Sequence, residues 1–140
     1  MADYGISDAL QVEYEAIYAF GVTGPLLSGA LLDAALVAET RHREQRDAAV
    51  AHLVDAEEKV PGAKAAYTVP FELTVPADAV KLITEVEYKV ATAWRMAIAN
   101  TAGDGRRLAA EILAQSAVNA ARWRRAQGEA PTTIPFPGRP

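Results

Sequence analysis

Glu13, Glu39, His42 and Glu87 have the residue types to hold a metal ion. In Glu39-x-x-His42 the two side chains lie three residues apart, on one face of a helix. Carboxylate-bridged di-iron bundles take a lone Glu from each of two helices and a Glu-x-x-His pair from each of the other two. Glu13 and Glu87 stand as the lone acids here, and Glu39 and His42 supply one pair. The second pair is missing: the last quarter of the chain offers Glu111-x-x-Ala114 and Gln115-x-x-Val118, neither with a histidine. His52, the other of 2 histidines, is about ten residues beyond His42, or ~15 Å along a helix. An intact two-histidine di-iron centre is therefore not encoded in one chain.

Two readings stay open. In one, Glu13, Glu39, His42 and Glu87 bind a single iron, manganese or zinc ion. In the other, no metal binds, and Glu13, Glu39, His42, Arg46 and Glu87 form a buried polar network, with Arg122 or Asn119 as further members. Each acid sits among apolar residues at steps of three and four: Ile6, Leu10, Glu13, Ile17, Phe20; Leu32, Ala35, Glu39, His42, Arg46, Ala49, Leu53; and Val80, Ile83, Glu87, Val90, Trp94. A buried carboxylate without a cation, a metal or a proton is costly. The turn after the first helix arbitrates. A turn at Ser28–Leu31 sets Glu13 level with Arg46; a turn at Gly24–Pro25 sets it level with Glu39 and His42. The later turn is favoured, and with it the network.

The elements that must position these groups are long helices. Segments rich in Ala, Leu, Glu and Arg predict helices from Ser7, with Asp8 and Gln11 at the cap; over 33–58; over 76–102, with Pro76 in the first turn; and over 104–127, capped by Asp104 and stopped by Gly128. The last three span about 23–27 residues each, or roughly 35–40 Å. The crossover, residues 59–76, reaches ~60 Å when extended, enough to return along the bundle and set the second and third helices parallel. Residues 67–75 also read as two short strands; the crossover is preferred. Residues 1–128 thus predict an all-α four-helix bundle of two antiparallel hairpins, followed by an extended Pro-rich tail over 129–140. An internal repeat supports two hairpins: Glu13-Tyr-Glu-Ala-Ile-Tyr-Ala-Phe20 matches Glu87-Tyr-Lys-Val-Ala-Thr-Ala-Trp94 at an offset of 74. It carries the Gly103-Asp104-Gly105 turn back to 29–31.

The chain of 140 residues is 51% hydrophobic and 23% charged, which excludes wholesale disorder. The absence of cysteine removes disulfides, iron–sulfur clusters and thiolate chemistry. A net charge of -4 argues against a nucleic-acid binder. The start shows no basic-then-apolar leader, and 22–38 is too interrupted to span a membrane, so the expected location is cytoplasmic. Arg41, Arg43, Arg46 and Asp47 read mostly as a solvated or ion-paired face, and Arg122, Arg124 and Arg125 as complements to a helix dipole. Trp94 and Trp123 read as core or rim packing. Tyr14, Tyr18 and Tyr88 read as redox-active only beside a metal. No phosphate loop or nucleophile elbow is visible.

Taken together, Glu13-Tyr-Glu-Ala-Ile-Tyr-Ala-Phe-Gly21, His42-Arg-Glu-Gln-Arg-Asp47, Ala66-Tyr-Thr-Val-Pro-Phe71, Glu87 and Phe136-Pro-Gly138 resemble the ferritin-like domain family of unknown function typical of actinobacteria. The resemblance implies a ferritin-like four-helix bundle and brings no activity with it. The expected function is that of a binding or assembly module, a homodimer lacking a di-iron centre. The alternative is a metal-binding protein or oxidoreductase with iron or manganese at an incomplete site. A third reading is an apolar small molecule bound where Pro25 or the glycines open the bundle.

Overall fold

The computed structural model describes residues 4–128 and 136–138. Its order is α1 (Ile6–Thr23), a 3-10 turn (Gly24–Leu26), α2 (Gly29–Asp55), α3 (Pro76–Ala99) and α4 (Gly103–Ala126). The described residues contain no strand, so the two-strand reading of 67–75 falls away. No described helix is long and apolar enough to cross a membrane.

The helix starts show what local chemistry does. Asp8 is not the cap of α1. It sits in the first turn, and its carboxylate accepts the Gly5 backbone N–H at 2.8 Å. Asp78 does the same for α3, accepting the Thr74 and Val75 N–H groups at 3.0 Å, and these bonds hold its carboxyl below the usual range. Both use a free backbone donor that a helix start leaves over. Gly103 and Gly105 are not a loop but the opening of α4; the break between α3 and α4 is 100–102. Gly29 opens α2 with the same φ of 56° as Gly103, a left-handed conformation that glycine adopts without strain. The offset of 74 therefore holds for the starts of α2 and α4, and both turns lie earlier than the sequence suggested.

α1 and α3 run antiparallel at the centre: Glu13 meets Trp94, and Glu15 pairs with Lys89 at 2.7 Å. The crossover descends along α1. The Tyr14 hydroxyl donates to the Pro61 carbonyl at 3.0 Å, and the Tyr18 and Tyr67 rings lie 5.6 Å apart. Val60, Val69, Phe71 and Leu73 pack on the core it crosses. Leu10, Leu53, Val90 and Trp94 fill that core, Ile83 packs in a second one with Phe20 and Trp123, and α2 and α4 touch only sparsely. Of the tail, residues 129–135 and 139–140 lie outside the described residues. Gly138 packs on α3, where a Cβ would come 2.5 Å from the Ala91 carbonyl oxygen.

Candidate functional site

Three charged side chains are fully buried at the middle of the bundle: Glu13 from α1, His42 from α2 and Glu87 from α3. The imidazole lies between the carboxylates. Nδ1 is 2.7 Å from Glu13 Oε2, and Nε2 is 2.8 Å from Glu87 Oε1. Trp94 donates its indole N–H to Glu13 Oε1 at 2.7 Å. The Phe20 ring flanks the imidazole at 5.4 Å and reaches Trp123 at 6.3 Å.

Only a protonated imidazole donates from both nitrogens. Burial on its own would lower the His42 pKa, but the charges of Glu87 and Glu13 and the hydrogen bonds to them outweigh it, raising it from 6.5 to about 10. Burial pushes the Glu87 carboxyl up, against the opposing pull of His42 and Arg41. A pKa raised this far favours the imidazolium at neutral pH, held between acids from the neighbouring helices α1 and α3.

The structure brings Glu13, His42 and Glu87 together and leaves Glu39 and Arg46 outside. Glu39 pairs with Arg43 at 3.2 Å on the rim, and Arg46 pairs with Asp47 at 2.9 Å. The buried stripe of α2 is Ala35, Ala38, His42, Gln45, Ala49 and Leu53. Glu39 and Arg46 each follow a buried position by one residue, about 100° around the helix. The early turn explains why Glu13 meets His42 rather than Arg46. Arg41, read as part of a solvated face, instead donates to Asn119 Oδ1 at 3.1 Å. Trp94 packs in the core as expected, but its N–H also serves the site. A buried carboxylate requires donors, and tryptophan carries an N–H that must be used.

These residues do not fit a two-iron centre. Both His42 nitrogens already face carboxylates, and Glu39 points elsewhere. The offset of 74 carries Glu39-x-x-His42 onto Leu113-x-x-Ser116 in α4. Among the described residues, no three His, Asp or Glu side chains converge to hold a metal ion.

Among the described residues, four buried polar atoms have no hydrogen-bond partner: Glu87 Oε2 in the cluster, and Gln45 Oε1, Ser116 Oγ and Asn119 Nδ2. An open groove of about 1040 Å³ lies between α3 and α4, floored by Ala91, Ala117 and Ala121. Pro25 does not line it, so the opening expected at that residue is not where this groove lies.

The family described as "Domain of unknown function (DUF4439)" matches residues 5–140, and the chain belongs to it. No curated protein matches the chain. Among solved structures, the chain is similar to a conserved hypothetical protein, Rv2844, from Mycobacterium tuberculosis. The two are 34% identical, with a TM-score of 0.84 and 94% of each chain covered.

Proposed function

We propose that this member of the family is a ferritin-like four-helix bundle whose centre is closed by its own imidazolium, and that it works as an assembly or binding module without a di-iron centre. The observation that carries the reading is His42, held at both ring nitrogens by Glu13 and Glu87. That arrangement neutralises buried acids with a proton where a metal-binding bundle would use an ion. A homodimer is the proposed assembly. Leu36 and Val37, each more than half exposed, present apolar surface on the outer side of α2. The proposed setting is cytoplasmic, with neither nucleic acid nor membrane as partner, in keeping with a net charge of -4.

The second reading is metal binding at Glu13, His42 and Glu87, with Glu39 rotated inward, by iron or manganese. It is favoured by one observation, the buried Glu87 Oε2 that no protein donor reaches. Elemental analysis of protein purified without chelators separates the two. The first reading expects iron and manganese far below one ion per chain. Near-stoichiometric metal that disappears in His42→Ala would overturn it. Sedimentation of the wild type and of Leu36→Lys/Val37→Lys tests the assembly: a dimer that becomes a monomer supports it, and a monomeric wild type contradicts it.

A further inference from the structure

We infer that the interior between α2, α3 and α4 holds a binding site for a water-sized neutral molecule, lined by Gln45, Glu87, Ser116 and Asn119. The four side chains are at least nine-tenths buried, at 8%, 0%, 0% and 2% exposure. Each carries a polar atom with no protein partner. A buried polar group left unpaired is costly, so four at mid-bundle call for a shared partner.

Register places them together. Arg41 bonds Asn119 at 3.1 Å, and a Cβ at Gly105 would come 3.1 Å from His52 Nε2. α2 and α4 therefore run antiparallel with 41 beside 119 and 52 beside 105. That alignment sets His42 level with Ser116 and Gln45 within about one helical turn of it. Glu87 is fixed at the same level by its bond to His42. The orphan atoms thus fall within about one helical turn, beside the α2–α4 contact, which is sparser than those of α1 with α2 and of α3 with α4.

The donor pattern selects the occupant. Asn119 Oδ1 accepts from both Arg41 and Gln115, which fixes the amide so that Nδ2 is the donor left over. Glu87 Oε2 and Gln45 Oε1 offer lone pairs, and the Ser116 hydroxyl serves either role. The Arg41 guanidinium lies close enough to pull on the Glu87 carboxyl and opposes a cation, and the carboxylate opposes an anion. A neutral molecule with two donors and two acceptors fits, and water is the smallest. By the repeat, Ser116 stands where His42 stands in the first hairpin, and its side chain is the smaller of the two.

A crystal structure that resolves solvent should show a peak within hydrogen-bond distance of Glu87 Oε2 and of Ser116, Asn119 or Gln45. No peak there, or a peak with the anomalous signal of a metal, would overturn the inference. Oxygen-17 relaxation dispersion provides a second readout in solution. Ser116→Val, which adds bulk there, should lose a long-lived water that Ser116→Ala keeps, with helical circular dichroism unchanged in both. Equal water counts in the two variants would overturn the inference. Should Ser116→Val fail to fold, the crystal structure still decides.

Discussion

In the first hairpin Glu13 is followed 29 residues later by His42; in the second, Glu87 is followed at the same distance by Ser116. The framework around them is shared. Gly29 and Gly103 open their helices with the same φ, and on the exposed face Glu15 of α1 pairs with Lys89 of α3, its own counterpart at a separation of 74. At the polar centre the two hairpins diverge, His42 in one standing against Ser116 in the other. One imidazole serves both acids, and among the described residues three of the four unpaired buried polar atoms, on Glu87, Ser116 and Asn119, belong to the hairpin without it. The difference teaches that one imidazole can serve an inward carboxylate from each hairpin.

The largest test of that asymmetry removes the bridge. His42→Ala leaves two buried carboxylates without a cation, and denaturant unfolding should register a loss of about 3–5 kcal/mol. A change under about 1 kcal/mol would break the account. Next comes pH. The folded pKa of His42 is about 10, against 6.5 for the ordinary group. Its contribution to stability is therefore full below 6.5 and falls as pH rises toward 10. The raised Glu87 carboxyl acts in the same sense, losing stability as pH climbs above the ordinary carboxylate range. Melting temperature should fall from pH 6.5 to 10, and His42→Gln should flatten that slope.

Smaller effects test the shared framework. Gly29→Ala and Gly103→Ala should each cost about 1–2 kcal/mol through the left-handed backbone alone, because no atom lies within 4 Å of either added Cβ. Unequal losses would break the equivalence of the two helix starts. Least of all, Arg46→Ala should stay within about 0.5 kcal/mol in thermal melts, since its partner Asp47 is exposed. A loss near that of His42→Ala would return Arg46 to the centre.

Four long helices, a crossover and inward-pointing Glu13, His42 and Glu87 were legible in the sequence because α1 and α3 have clear apolar faces. α2 has none that stands out. Its alanines let two stripes satisfy the same three-and-four stepping, one through Glu39 and Arg46 and one through Ala38 and Gln45. Side-chain pattern cannot choose between them; packing against α1 and α3 does. Glycine misled the turns for a related reason. Gly103 reads as a break, yet here its positive φ starts a helix. The role of Arg41 depended on the α2–α4 register, which no local pattern encodes.

The central claim is that His42 is an imidazolium shared by two buried acids. Nitrogen-15 NMR of the His42 ring tests it most directly. At pH 7 both ring nitrogens should carry protons that exchange slowly with water, and the doubly protonated state should persist to about pH 9, below the pKa of about 10. A neutral ring at pH 7, with one unprotonated nitrogen, would contradict it.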